Sequence, residues 1–168
     1  NSIEIYRNVA NIEIYVDSVT LVKWSEINYD FSSADDKDMV VVSSYKNGTV
    51  EGIVEDSAAE GSYALQAKTI SGGDNGVKIA FNNIDISKYE SITIRLRTEG
   101  NAISIGANGK GYIGGYGNYA TYTNINILTY AAKLTELGIT NLSSIEIYRN
   151  VPNITIYVDS VTLVKKAA

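Results

Sequence analysis

The chain contains neither cysteine nor histidine. Without cysteine there is no disulfide staple, no thiolate metal site and no thiol nucleophile. Without histidine the commonest general base and the commonest transition-metal ligand are both missing, and a Ser-His-Asp triad is impossible. Positive charge is short as well. Fourteen Lys and Arg stand against 19 Asp and Glu, for a formal charge of -5. Phosphate backbones demand clustered Lys and Arg, so nucleic acid is not expected as a partner. No apolar run approaches the 18 residues or so of a membrane-spanning helix. Proline and tryptophan occur once each and phenylalanine twice, whereas tyrosine occurs 13 times. Tyrosine is the aromatic that sits half-wet, with an apolar ring and a polar tip.

What is present, first of all, is a repetition. Ser2–Lys23 reads SIEIYRNVANIEIYVDSVTLVK and Ser144–Lys165 reads SIEIYRNVPNITIYVDSVTLVK. Over these 22 positions only two differ: Ala10 against Pro152 and Glu13 against Thr155. Exposed and buried positions agree alike, which points to a tandem array with a period of 144 − 2 = 142 residues. The expected division is 1–23, the closing strands of a preceding repeat, and 24–168, a complete module.

The rest of the chain alternates with the period of half-buried antiparallel strands. Ser91–Thr98 (SITIRLRT) puts Ile92, Ile94 and Leu96 on one side and Arg95 and Arg97 on the other. Ser62–Ile70 puts Tyr63, Leu65 and Ala67 opposite Gln66 and Lys68. Lys46-Asn47-Gly48 is a strong hairpin signal between strands at 39–45 and 49–54. The Asp17-Ser18 step interrupts its strand and predicts a bend or bulge. A further strand is expected over 119–127, and a helix of one or two turns over 128–137, capped by Gly138. Roughly nine short strands, closely spaced turns and almost no helix predict an all-β fold, an antiparallel sandwich or barrel.

Four stretches in order carry a resemblance. The unit opens with Asp30-Phe31, continues with Gly61-Ser62-Tyr63-Ala64-Leu65 and Ser87-Lys88-Tyr89-Glu90-Ser91-Ile92, and closes with Ile156-Tyr157-Val158-Asp159-Ser160-Val161-Thr162-Leu163. Over about residues 25–165 it resembles the jelly-roll carbohydrate-binding modules of the galactose-binding-like β-sandwich group. The resemblance implies a jelly roll that binds polysaccharide without cleaving it, in a secreted or cell-surface bacterial protein, hence outside the cell. It also implies a structural calcium ion held by Asp159 of the closing strand and by oxygens near the opening strand. Asp30 and Glu60 are the acidic candidates for the latter.

Sugar recognition uses aromatic faces against C–H surfaces, with amide and charged groups reading hydroxyls. The candidates are Tyr112, Tyr116, Tyr119 and Tyr122, four tyrosines within 11 positions of a glycine-rich stretch, with Asn118 beside them. An uncharged Tyr/Gly/Asn surface suits adaptable binding. The same pattern also describes rings packed over glycine turns. Strand alternation predicts Tyr119 and Tyr122 on opposite faces. Arg95 and Arg97 share a sheet face, either reading a glycan or standing as solvated strand charges. Asp35, Asp36 and Asp38 with Glu51, Glu55, Asp56 and Glu60 supply oxygens suited to calcium, or else keep their loops soluble.

A glycosidase needs two carboxylates facing one another across a cleft. Repetition of the unit and the lack of charge around the tyrosines speak against an enzyme. Two roles remain: a glycan-binding module, or a spacer repeat of a surface adhesin whose sugar face is idle. Both copies of the closing segment cannot occupy one slot. Residues 2–23 are therefore the surplus copy, expected either to pack as an extra sheet edge on residues 25–165 or to pair with a neighbouring repeat or a neighbouring molecule. A chain beginning at Trp24 is expected to retain the far-ultraviolet circular dichroism of a β-sandwich, and loss of that signal would misplace the boundary.

Overall fold

The computed structural model describes residues 26–29, 31 and 40–167. The expectations for residues 2–23, for Asp30 and for the acidic loop 32–38 lie outside these. The described elements are β1 (Glu26–Tyr29), β2 (Val40–Tyr45), β3 (Thr49–Glu55), β4 (Tyr63–Lys68), β5 (Asn75–Asp85), β6 (Tyr89–Glu99), β7 (Ile103–Ala107), β8 (Tyr112–Gly117) and β9 (Thr123–Asn126). They continue with α1 (Ala131–Glu136), β10 (Asn141–Arg149) and β11 (Thr155–Lys165). Two antiparallel sheets form a jelly-roll sandwich. One runs β3-β4-β11-β6-β9, with β1 also paired to β11; the other runs β2-β5-β10-β7-β8.

The alternating sequences build this directly. On β6, Ile92, Ile94 and Leu96 are fully buried while Arg95 and Arg97 face outward. They meet Ile156, Val158, Val161 and Leu163 of β11 and, from the opposing sheet, Ile79, Ile105, Ile145 and Ile147 in one core. Two central strands come from one stretch of chain. β10 lies between β5 and β7, and β11 lies between β4 and β6. The copy of the repeated segment at 144–165 is thus the middle of both sheets.

Three local outcomes refine the sequence reading. Gly48 N–H closes a turn on Tyr45 C=O (3.1 Å), but β2 pairs with β5 and β3 with β4. The Asn-Gly turn therefore carries the chain from one sheet to the other instead of closing a hairpin. A local turn signal specifies backbone reversal, not which partner each strand then finds. The strand expected over 119–127 is confined to β9. Residues 118–122 form a loop, because Tyr119 exchanges hydrogen bonds with Thr98 (Tyr119 N–H to Oγ1, 3.0 Å; Thr98 N–H to Tyr119 C=O, 2.7 Å). The helix is present as a 3-10 turn (Ile127–Tyr130) running into α1. Gly138 ends it in the left-handed region (φ 64°), and Ile139 N–H returns to Leu134 C=O (2.8 Å).

Ile94 contacts no solvent and sits mid-core. Ile94→Ala is expected to lower stability by about 2–5 kcal/mol, read as a lower urea midpoint with an unchanged slope.

Candidate functional site

The outer face of the six-stranded sheet collects the functional side chains. Strand period places Ser91, Thr93, Arg95 and Arg97 of β6 on that face. Register then sets them beside β11: Arg97 opposite Tyr157, Arg95 opposite Ser160, Thr93 opposite Thr162. Between Val158 and Ser160 the register shifts by one residue, and Asp159 is the extra residue of the bulge. This is the break that Asp17-Ser18 predicts in the other copy. A bulge re-aims a side chain. Here it turns the Asp159 carboxylate out of solvent altogether, where it accepts Arg95 Nη1–H (2.6 Å) and Glu60 N–H (2.9 Å). Burial pushes this carboxyl up, against the opposing pull of the Arg95 guanidinium and the Glu60 amide.

A second cluster adjoins it. Arg97 donates from Nε and Nη2 to Asp56 Oδ2 (2.9 and 2.8 Å) and from Nη1 to Glu99 (2.5 Å). Its guanidinium lies 3.7 Å from the ring centroid of Tyr157, a stacked geometry that suits a planar cation. Tyr122 Oη–H donates to the same Asp56 oxygen (2.9 Å), and Arg95 lies 4.9 Å from the Tyr122 centroid. Burial alone would raise the Asp56 carboxyl. The bonds from Arg97, Ala58 N–H and Tyr122 outweigh it and hold the group below the ordinary 3.8. Burial, then Asp56, pushes the Tyr122 phenol well above its usual 10. Both are held in their native protonation states at neutral pH, so the cluster is a fixed scaffold.

Two hollows open on this face and share Arg95. One, of about 380 Å³, is lined by Arg97, Tyr122, Ala58 and Ala120. The other, of about 350 Å³, is lined by neutral hydrogen-bonding groups: Asn28, Thr93, Asn124, Ser160 and Thr162, with Glu60 at hand. Every arginine here is already neutralised within the protein. What remains for a ligand is one aromatic edge, small apolar patches and a row of hydroxyls and amides, with the Glu60 carboxylate at one side. That arrangement suits an uncharged, hydroxyl-rich molecule with apolar C–H faces.

Six of the residues singled out in the sequence converge here: Arg95, Arg97 and Tyr122, and the acids Asp56, Asp159 and Glu60. The others lie elsewhere. Tyr112 and Tyr116 are exposed on β8, an edge strand of the other sheet, where Arg149 covers Tyr116 (4.8 Å to the centroid). Tyr119 packs on the core, its hydroxyl donating to Gly115 C=O (2.9 Å). Asn118 accepts from Thr98 Oγ1 (3.3 Å). The glycines of the stretch serve close approach: a Cβ at Gly114 would come within 2.3 Å of the Tyr130 ring, and one at Gly117 within 2.9 Å of Tyr119. Tyr157, which sequence reasoning passed over as a site residue, completes the scaffold, and Asp56, expected only as a calcium-suited or solubilising loop acid, serves instead as the partner of Arg97. The one available signal was the outward position of Tyr157 on its alternating strand.

A calcium ion at Asp159 would need free carboxylate oxygens. Both Asp159 oxygens are engaged, one by a guanidinium and one by an amide N–H. Among the described residues no three acidic side chains gather as a cation would require. Asp159 and Glu60 as placed do not fit calcium, and Asp30 lies outside the described residues.

Asp56 has a lowered carboxyl, so its contribution to stability is fully present above its unfolded value of about 3.9. That contribution is lost as pH falls through the lower folded value. Asp56→Asn is expected to reduce the thermal midpoint at pH 7 and to flatten its decline below about pH 4. An unchanged acid limb would separate Asp56 from the stability of this face.

No protein-family model and no curated protein matches the sequence. Among solved structures, the chain is similar to the family 11 carbohydrate-binding module of the cellulosomal cellulase Lic26A-Cel5E of Clostridium thermocellum. The TM-score is 0.54 at 15% identity, over 88% of this chain and 97% of that one. It is similar also to the family 11 module from Clostridium thermocellum in complex with a β-1,3-1,4-mixed-linked tetrasaccharide. There the TM-score is 0.53 at 16% identity, over 88% of this chain and 99% of that one. At such identities the likeness is one of fold: this chain has the jelly-roll sandwich architecture that those carbohydrate-binding modules adopt.

Proposed function

We propose that this chain is a non-catalytic polysaccharide-binding module of a secreted or cell-surface protein, and that it holds its glycan in the double hollow on the six-stranded sheet. One observation carries the reading: a continuous outer face on which Tyr122, two internally neutralised arginines and a row of neutral amides and hydroxyls stand together. The fold likeness supports it, since a family 11 module of the same architecture is described in complex with a mixed-linked tetrasaccharide. The tyrosine-rich surface expected from the sequence contracts to Tyr122, with Tyr157 beneath Arg97. A binding role without catalysis agrees with the acids of the groove. Asp56 and Asp159 are each bound to an arginine, which leaves Glu60 as the single carboxyl of the groove without an ion pair among the described residues, whereas a glycosidase works with two. No helix among the described residues is long and apolar enough to cross a membrane.

The test is affinity electrophoresis in gels containing mixed-linked β-1,3-1,4-glucan, starch, xylan or pectin, followed by calorimetry on the retaining polymer. Tyr122→Ala and Asn124→Ala are each expected to weaken binding about tenfold, the equivalent of about 1.4 kcal/mol. The double change Tyr112→Ala with Tyr116→Ala is expected to leave it intact. The reverse pattern would move the site to the edge of the other sheet. Absence of retention on every polymer would leave the spacer role.

A further inference from the structure

We infer that the second hollow is a charge-selective subsite with Glu60 as its specificity-determining residue: it admits an uncharged sugar unit and turns away a uronate. The inference rests on the glycan reading above and narrows it to neutral polymers. Its first support is the way one buried carboxylate sets both rims of the hollow. Asp159 accepts Arg95 Nη1–H on one oxygen (2.6 Å) and the main-chain N–H of Glu60 on the other (2.9 Å). Glu60 opens a short 3-10 turn, Glu60–Ser62, which Ser62 N–H closes on Ala59 C=O (3.2 Å). The backbone at Glu60 is therefore fixed without help from its side chain. That side chain is exposed, and among the described residues it makes neither a hydrogen bond nor an ion pair. It lines the hollow together with Arg95, Thr93, Asn124 and Ser160.

The second support is charge. Among the described residues Arg95 is the one cation lining this hollow, and Asp159 cancels it from beneath. Arg97, in the neighbouring hollow, is already bound by Asp56 and Glu99. One guanidinium against two carboxylates leaves the second hollow with a single uncompensated negative charge, on Glu60. A carboxylate on the ligand would meet that charge with no arginine free to pair with it, and like charges brought together repel. An uncharged sugar meets the opposite situation. A carboxylate accepts hydrogen bonds on both oxygens, which suits a pair of neighbouring O–H groups. Arg95 complements it: among the described residues only its Nη1 is engaged, so its other N–H groups can donate to sugar oxygens. Thr93, Asn124 and Ser160 can both donate and accept. Discrimination between ligands needs a repulsive element beside the attractive ones, and Glu60 supplies both in one group.

The test uses the full chain and polymers in matched neutral and acidic forms. The pairs are mixed-linked β-1,3-1,4-glucan and starch, each with and without oxidation of C6 alcohols to carboxylates, plain xylan against glucuronoxylan, and methyl-esterified against de-esterified pectin. The parent is expected to hold the acidic member of the pair it retains about tenfold more weakly or worse. That gap is expected to close as ionic strength rises to about 1 M, where the Debye length is about 3 Å. Glu60→Gln removes the charge and keeps an accepting oxygen. It is expected to bind the neutral member within about threefold of the parent and the acidic member equally well. Glu60→Lys is expected to reverse the preference. Both changes keep the main-chain N–H that Asp159 accepts, so the thermal midpoint is expected to stay within about 2 °C of the parent. Equal binding of both members by the parent would overturn the inference and leave the glycan reading in place. So would rejection of the acidic member that persists in Glu60→Gln and at high salt. Retention of no polymer in any form would overturn the glycan reading and this inference together.

Discussion

One stretch of some twenty residues carries the constraint on which the molecule depends. It must supply the centre of both sheets at once. β10 is flanked on both sides in one sheet and β11 on both sides in the other, and only residues 150–154 join them. Neither sheet exists as a connected ladder until this segment is seated. The rest of the sandwich is built of neighbours that touch it: β5 and β7 on one side of the core, β4 and β6 on the other, with β1 laid along its end.

The bulge in β11 links that scaffold to the surface. By adding Asp159 to the strand it creates a buried anion directly beneath the outward arginines. Arg95 is thereby anchored instead of left free to solvent. Arg97 is anchored in the same way by Asp56, and Tyr122 by its bond to that carboxylate. Desolvated charges are costly unless paired, and pairing also fixes rotamers. The groove is consequently polar in composition, rigid in its side chains and nearly neutral in effect. Its arginines act as positioned hydrogen-bonding planes and not as a positive field.

The all-β class, the inward face of β6, the outward pair Arg95 and Arg97 and the bulge before Ser160 are all visible in the primary structure, because each is a matter of local period or its interruption. The assignment of strands to sheets is not visible. Asn47-Gly48 reads as a hairpin and serves as a crossing between layers. The tyrosine-rich stretch reads as rings on the two faces of a strand and divides among three places. The reason is that Gly114 and Gly117 are beds for rings and the loop 118–122 is pinned by Thr98. The partners that organise the groove, Asp56 for Arg97 and Asp159 for Arg95, are 41 and 64 residues away along the chain. Contacts at that separation leave no periodic trace.

The pairing of β1 with β11 also determines how the described body answers a pulling force. Glu26, where β1 begins, lies opposite Val164, near the end of β11. Traction on the chain before β1 and after β11 therefore enters the ladder from the same end. The antiparallel bonds lie across the strands and open in succession, like a zipper, instead of sharing the load in shear. A string of such bodies would lengthen under modest tension by peeling this short strand first, while the cross-braced interior stayed closed.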